Sequence, residues 1–479
     1  MVRHVPVARH VPVARHVPVA RHVPVARHVP VAERDLAAER GVVANAAGPG
    51  QKGGLDRTHR AGSRTGVRPA VLLALAAIAA AALLASCSRS SNWVAYRGLE
   101  GQGATSDAVY PPFGVKWKLR LQEGGKPLDA FNPPVILGNS IYFGSADGNF
   151  YSLNLDSGYM NWVFKTGGPI NSIPSADGKY VYFGSEDGKV YAVNRQTGKE
   201  AWSFQTSNPV RSTVVRYHNS VIFTSDGGST YNLTPEGVLR YKLPNPVWYY
   251  DTFQVYKDVI YFAPGPPSNP SSFGAYDLRS RAYLWILDTS QLNAYWYSFP
   301  ALRGNSVYFA TSTDLGPGEW HFDYYAYNRV TGQIMWKDSS ISQWGPGGPG
   351  NAEALFTRDL RLLDYMAPSL WRNLVIYTSG DSVVRAFRTS NGQLAWEHKF
   401  PYPTSSAPTI AGGRVYFGLD GDPHNPKIPP ELVCLSARNG DVLWTMKLEG
   451  AMLSAPVISG KWIVFGTDQS YFYVLEALY

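Results

Sequence analysis

Cysteine is almost absent from this chain, which has only Cys87 and Cys434 among its 479 residues. Two cysteines cannot build a disulfide framework or a cysteine-based metal site. No two cysteines are adjacent. Cys434 lies in the apolar stretch LVCLSARNG, so we predict that it is a small buried side chain rather than a reactive thiol.

Excess charge is absent from most of the chain. The formal charge of +8 lies in residues 1–86, where eleven arginines and Lys52 face four acidic residues, so the remainder is formally neutral. Nucleic-acid binding depends on neutralising phosphates with a basic surface. We therefore predict no nucleic-acid partner.

Catalytic signatures are also missing. None of G-x-S-x-G, H-E-x-x-H and G-x-x-x-x-G-K-[ST] occurs, which removes the common motifs for acyl transfer, zinc hydrolysis and phosphate binding. Two groups could coordinate a cation, one at Asp420, Asp422 and His424, the other at Asp314, Glu319 and Asp323. Asp/Gly-rich segments usually form turns. We predict a protein that is not an enzyme, with no catalytic residue, no cofactor and no metal.

Long apolar runs are lacking, and the main one is residues 70–84. It is shorter than the roughly 18–20 residues of a membrane-spanning helix. Arginines precede it and the sequence Leu-Ala-Ser-Cys ends at Cys87, an arrangement that resembles the bacterial lipobox. We predict a lipoprotein signal peptide at 67–86, lipidation of Cys87 and a lipidated linker at 87–112.

The preceding residues 1–66 are predicted to be a disordered, low-complexity leader. Residues 3–32 repeat RHVPVA five times, and a proline in each unit opposes helix formation. The five histidines of this tract are an alternative weak metal site. Because a signal peptide begins near its apolar segment, we expect translation to start at Val67.

What the chain does contain is an internal repeat. VYFGSEDGKVYAVNRQTGKEAW at 181–202 aligns without a gap with IYFGSADGNFYSLNLDSGYMNW at 141–162. Asp-Gly and Asn-Gly pairs predict tight hairpin turns of type I′. Four short strands per unit are typical of a β-propeller blade. Each copy ends on an aromatic residue expected to wedge between blades: Trp162, Trp202, Tyr241, Trp285, Trp336, Trp396 and Trp444.

The last copy is incomplete. Residues 455–479 provide three strands without the final aromatic strand, and residues 114–118, which contain Trp117, provide the missing one. Pairing the two ends leaves no open edge. We predict an all-β fold, an eight-bladed propeller of four-stranded antiparallel blades at 113–479, closed by an N-terminal strand.

The repeats resemble those of PQQ-like propellers in NRQTGKEAW at 194–202 and in the lead-in WVAYRG at 93–98. The resemblance covers residues 93–479 and is greatest to lipid-anchored members that are assembly factors of the outer-membrane β-barrel insertion machinery. It implies a monomeric, periplasm-facing scaffold held at the outer membrane, or at the cell surface if the host has one membrane, with that machinery as partner. A PQQ-dependent quinoprotein dehydrogenase and a polysaccharide-binding propeller are the alternatives.

If the four strands of a blade are a to d from the axis outward, the a–b and c–d turns are short and share one face. The elaborate connections lie on the other face, at 264–272, 313–321, 421–431 and 340–365, the last with a short helix at 351–363. Long ordered loops often carry function. Aromatics on this rim either bind a partner or only plug the channel. The partner-binding residues predicted here are Arg211, Trp248, Tyr249, Tyr250, Tyr295, Trp296 and Tyr297.

Overall fold

Each repeat in the sequence forms one antiparallel sheet, because its apolar residues alternate over short segments that end at glycine-containing turns. In the computed structural model eight such blades form a closed β-propeller, which confirms the predicted fold class. The structure describes residues 92–98, 101–120, 122–123, 126–127, 132–226, 228–244, 253–262, 272–288, 296–316, 319–343, 367–422, 425–452 and 454–479. Within these residues there is no α-helix, and no helix that could span a membrane.

The blades are numbered along the chain, with strands given from the axis outward. Blades 1 to 4 comprise β5 (Val135–Leu137), β6 (Ser140–Gly144), β7 (Asn149–Asn154) and β8 (Met160–Lys165); β9 (Ser175–Ala176), β10 (Tyr180–Gly184), β11 (Lys189–Asn194) and β12 (Glu200–Gln205); β13 (Val215–Tyr217), β14 (Ser220–Ser225), β15 (Ser229–Leu233) and β16 (Leu239–Pro244); β17 (Phe253–Tyr256), β18 (Val259–Phe262), β19 (Ser272–Asp277) and β20 (Ala282–Asp288).

Blades 5 to 8 comprise β22 (Ala301–Arg303), β23 (Ser306–Gly316), β24 (Glu319–Asn328) and β25 (Ile334–Gln343); β26 (Ser369–Trp371), β27 (Leu374–Tyr377), β28 (Val383–Arg388) and β29 (Leu394–Lys399); β30 (Thr409–Ala411), β31 (Arg414–Leu419), β32 (Glu431–Ser436) and β33 (Val442–Lys447); β34 (Val457–Ser459), β35 (Trp462–Gly466), β36 (Tyr471–Ala477) and β2 (Phe113–Arg120). Outside this scheme are β1 (Ala104–Thr105), parallel to β30, β21 (Trp296–Tyr297), paired with β23, and a small hairpin of β3 (Gln122–Glu123) and β4 (Lys126–Pro127).

The ring closes as predicted. Strand β2 pairs antiparallel with β36 from Phe113 opposite Ala477 to Arg120 opposite Tyr471. Three C-terminal strands and one N-terminal strand thus complete blade 8, and the edge of β36 is covered.

A tryptophan on the outermost strand joins most blades to the next. In blade 1 the Trp162 indole donates to the Arg195 carbonyl of blade 2 at 3.0 Å. A Cβ on Gly198 would approach the same indole to 2.7 Å, and Gly198 has φ +68°. In the T-G-x-x-x-W pattern the glycine therefore makes room for the tryptophan of the preceding blade, and the pattern's own tryptophan packs against the following blade, as Trp202 does against Gly237.

The predicted type I′ turns are wrong. A type I′ turn needs positive φ at both central residues. At the Asp-Gly and Asn-Gly pairs only the glycine has it, as at Gly148 (+78°), Gly188 (+84°), Gly392 (+73°) and Gly440 (+77°). Gly392 and Gly440 lie in c–d turns, where the paired strands shift register by one residue. The positive φ of these two glycines therefore belongs to a turn with a β-bulge.

We call the side with the a–b and c–d turns the turn face, and the side with the b–c and d–a connections the loop face. The a–b turns are short throughout, which confirms that prediction. The loop face carries the long connections, parts of which lie outside the described residues: 263–271, 289–295 and 344–366, which include the predicted helix at 351–363.

Candidate functional site

The channel on the ring axis is filled by the N-terminal segment. Trp93 pairs with Ile136 of β5, the innermost strand of blade 1. Tyr96 then packs edge-on against Phe299, with ring centroids 4.7 Å apart. The apolar residues clustered with Tyr96 come from five blades: Ile173, Phe299, Ala367, Ala407 and Ala455. Because residues from five blades contact the Tyr96 side chain, Tyr96 lies on the axis of the propeller.

Arg97 holds the N-terminal segment 93–98, which we call the plug, in place. Its side chain is only 1% exposed, and it donates to the carbonyls of Pro408 (2.9 Å), Pro368 (2.7 Å) and Ala367 (3.1 Å). It also donates to the Ser369 hydroxyl at 2.9 Å. The plug therefore holds blades 6 and 7 together from inside, a role that the sequence motif WVAYRG did not reveal.

Arg211 lies on the loop face, where it joins blades 2 and 3. Its guanidinium donates to both carboxylate oxygens of Glu186, at 2.9 and 3.0 Å, and also to Asp226. Asn171 donates to Glu186 at 2.5 Å. Burial raises the pKa of Asp226, partly opposed by Arg211, and the Glu186 charge raises it further. The predicted site residue therefore forms a bidentate ion pair with Glu186 at the surface of the loop face, where the Arg211 side chain is 36% exposed.

The predicted rim aromatics are only partly described. Trp296 and Tyr297 form β21, which pairs with Ser312 and Thr311 of β23. Trp248, Tyr249, Tyr250 and Tyr295 lie outside the described residues. Their part in binding stays a prediction, although the axial position at the level of Tyr96 is already occupied.

Blade 5 differs from the loop predicted at 313–321. Residues 313–316 and 319–321 of that range continue the strands, so β23 and β24 pair from Ser306 opposite Asn328 out to Gly316 opposite Glu319. Strand β25 follows them to Gln343. The other b strands have four to six residues, whereas β23 has 11. Blade 5 therefore projects from the loop face as a three-stranded tongue.

The residues of one candidate cation site lie at different positions along the tongue: Asp314 is opposite Trp320, Glu319 is opposite Gly316 and Asp323 is opposite Thr311. Asp323 faces the Lys337 ammonium at 3.1 Å and the His321 Nε2 at 3.2 Å, and it accepts from the Ser339 hydroxyl at 2.5 Å. Among the described residues no three His, Cys, Asp or Glu side chains cluster as metal ligands. His424 of the other candidate lies outside the described part.

Charge is divided between the two faces in the described connections. Those of the turn face contain ten basic residues and five acidic ones, whereas those of the loop face contain nine acidic and two basic ones. The basic residues of the turn face are Lys179, Arg195, Lys199, Lys257, Arg279, Arg281, Arg329, Arg372, Arg438 and Lys461. The acidic residues of the loop face are Asp147, Glu186, Asp187, Asp226, Asp381, Asp420, Asp422, Glu449 and Asp468. In the described connections, basic residues thus predominate on the turn face and acidic residues on the loop face.

Only one of the two cysteines, Cys434, lies in the described part of the chain. Cys434 is fully buried, as predicted, and burial raises the pKa of its thiol to about 12, which opposes thiolate formation. Cys87 lies outside the described residues, so its lipidation stays a prediction. The chain is first described at Asn92, whose side chain accepts from the Gly138 amide at 2.9 Å on the turn face.

Solved structures share this fold at low sequence identity. The crystal structure of BamB from Moraxella catarrhalis is 14% identical, with TM-score 0.54, covering 76% of this chain and 100% of that one. The quinohemoprotein alcohol dehydrogenase ADHIIG from Pseudomonas putida HK5 is 14% identical, with TM-score 0.57 and 80% of each chain covered. The computationally designed Ika8 protein is 14% identical, with TM-score 0.54, covering 73% and 96%. No curated protein matches the chain.

The sequence itself matches one family model in four overlapping or neighbouring segments. They are residues 65–204, 114–245, 323–423 and 380–478, which together span well over half of the chain. The matched ranges include the closing strand β2 and most of the Trp-to-Gly contacts between blades. This protein therefore belongs to the family described as outer membrane protein assembly factor BamB.

Proposed function

We propose that the protein is a non-enzymatic lipoprotein scaffold, held at the periplasmic side of the outer membrane by Cys87, that binds a protein partner of outer-membrane barrel assembly. Membership of the BamB family supports a role in outer-membrane protein assembly. The plugged axis and the projecting tongue support binding on the loop face rather than chemistry in the channel. A surface with nine acidic and two basic residues in its described connections favours a partner with a basic surface.

The tongue of blade 5 is the observation that carries this proposal. Its tip exposes two aliphatic side chains, Leu315 at 47% and Ile341 at 61%. Apolar residues on a rigid, projecting element are typical anchors of a protein interface. Charged and polar neighbours such as Glu319 and Gln343, paired across β24 and β25, would form the rim around them.

Capture of partners from detergent-solubilised envelopes tests the proposal. We expect Ile341→Asp to reduce recovery of the barrel-assembly partner by about tenfold, as a central contact residue should. Ile334→Asp is the matched control, because Ile334 lies on the same strand and is 53% exposed but sits at the turn-face end. Equal recovery with both variants would show that the tongue is not the binding element.

A second variant tests the rim aromatics. Replacing Trp248, Tyr249, Trp296 and Tyr297 with Ala should also lower recovery if these residues contact the partner. Unchanged recovery, with Ile341→Asp still defective, would restrict the site to the tongue.

The described residues offer no support for the two alternatives. The resemblance to quinoprotein dehydrogenases implies adjacent cysteines over PQQ, and these are missing. In addition, Tyr96 and Arg97 are buried on the axis of the ring. The residues present thus do not fit PQQ, and likeness to such enzymes at 14% identity concerns the fold alone. Nothing described singles out a polysaccharide.

A further inference from the structure

An arginine-lined cleft lies on the turn face at blades 6 and 7. It has a volume of about 490 Å³ and is lined in part by Trp371, Arg372, Arg388 and Arg438. The Arg372 guanidinium stacks over the Trp371 ring at 4.8 Å. No lining residue is acidic, and among the described residues none forms an ion pair with these arginines. Three exposed guanidinium groups without carboxylates match the geometry of phosphate groups.

Exposed tyrosine side chains share this face. Tyr159, in the c–d turn of blade 1, is 80% exposed, and the C-terminal Tyr479 is 97% exposed. Tyr110, also exposed, lies under the Arg414 guanidinium at 4.9 Å. Tyrosine beside basic residues is characteristic of surfaces that sit at the headgroup level of a membrane.

The chain enters the ring from the same side. Asn92 is bound to the a–b turn of blade 1, and Cys87 precedes it by five residues. At most about 3.5 Å per residue, the link can span only about 18 Å. A lipid on Cys87 would therefore keep the turn face close to the bilayer, with the tongue of blade 5 directed away from it.

We propose that the turn face is a docking surface for an anionic membrane, with the cleft of Arg372, Arg388 and Arg438 binding phospholipid phosphate groups. This inference rests on the proposed lipid anchor, which brings the membrane within reach. Docking orients the ring: the turn face meets the bilayer, and the loop face presents its tongue to the periplasm. The attraction is electrostatic and decreases with ionic strength.

Vesicle co-sedimentation tests this docking without any partner protein. A chain that starts at Ser88 retains all described residues of the closed ring and carries no lipid. We expect it to bind vesicles with about one third phosphatidylglycerol but not pure phosphatidylcholine, and to be released by high salt. Combined Arg372→Glu, Arg388→Glu and Arg438→Glu changes should lower the partition coefficient at least about tenfold.

The control has the same change in net charge on the opposite side. Lys399→Glu, Lys427→Glu and Lys447→Glu alter exposed lysines toward the loop face and should lower the partition by less than about threefold. Equal losses in both triple variants, equal binding to neutral vesicles, or no binding at all would overturn the proposal. Because partner capture by the tongue is measured without vesicles, the two proposals fail independently.

Discussion

At the scale of single residues, Asp177 shows how one carboxylate joins two blades. In the a–b turn of blade 2 its Oδ1 accepts from the amides of Lys179 and Tyr180, at 2.8 and 2.9 Å. Its Oδ2 accepts from the Tyr182 hydroxyl at 2.8 Å and from Arg216 of blade 3 at 3.0 Å. Burial alone would raise the pKa of Asp177, but these hydrogen bonds together lower it.

A lowered pKa in the folded state predicts a pH-dependent contribution to stability. The unfolded chain binds the proton more readily, so the contribution is complete above the ordinary Asp pKa of about 3.9 and disappears as pH falls through the folded value. We expect Asp177→Ala to reduce the free energy of unfolding by about 2 kcal/mol at pH 7. Urea unfolding at pH 7 and pH 3 measures this; a difference that stays the same at pH 3 would contradict it.

At the scale of elements, most repeats form both a four-stranded sheet and a tryptophan contact, or joint, that connects the sheet to the next blade. Trp396 of blade 6 donates to the Ala437 carbonyl of blade 7 at 3.1 Å, and its ring lies against Gly440. The same contact recurs from Trp117 to Gly158 across blades 8 and 1. Two blades differ. In blade 3 Tyr241 stands in the tryptophan position and packs under Arg281 at 4.7 Å, and in blade 7 the Trp444 ring packs edge-on against Phe113, with ring centroids 5.2 Å apart.

Adding one methyl group at a joint should therefore weaken it. A Cβ on Gly440 would lie 2.6 Å from the Trp396 ring, so we expect Gly440→Ala to destabilise the protein by about 2–4 kcal/mol. Gly304→Ala is the control, because Gly304 has φ +59° but nothing within 4 Å of a Cβ; it should cost about 1 kcal/mol. Thermal unfolding measures both, and equal losses would show that backbone conformation, not the joint, requires glycine.

At the scale of the whole molecule, the N-terminal segment is part of the core. Tyr96 and Arg97 lie far from blades 5 to 7 in sequence, yet they fill the channel and bind three carbonyl groups there. The segment then returns along β30 of blade 7 before it becomes the outer strand of blade 8. Residues 92–98 and 101–112, within the predicted linker, thus connect the innermost and outermost strands of the ring.

Loss of the plug should affect the entire ring. Arg97→Ala would remove hydrogen bonds to buried carbonyls and leave a cavity, so we expect a loss of about 3–5 kcal/mol. Arg388→Ala, at an exposed residue of the turn face, should change stability by less than about 0.5 kcal/mol. Denaturant unfolding compares the two, and a similar small effect of both would show that the plug is dispensable.

Local sequence determined the strands, the number of blades and the closure. Period-2 alternation, glycine turns and one aromatic residue per repeat are short-range patterns, and the strand around Trp117 could be matched to an incomplete last copy. The buried state of Cys434 followed from the same patterns. The length of blade 5 could not be predicted from local patterns. Its segment at 313–319 contains Asp, Gly and Pro and therefore predicts a loop, whereas pairing of β24 with β23 and β25 continues the sheet.

Only the tertiary structure decided where the charges and the N-terminal segment go. A formally neutral body indicated no electrostatic surface, because a sum over the sequence cannot tell one side of a ring from the other. The ring sends a–b and c–d turns to one face and b–c and d–a connections to the opposite one. In the described connections, basic residues therefore predominate on the first face and acidic residues on the second. The plug of Tyr96 and Arg97 and the pairing of Arg211 with Glu186 likewise depend on long-range contacts that no local pattern contains.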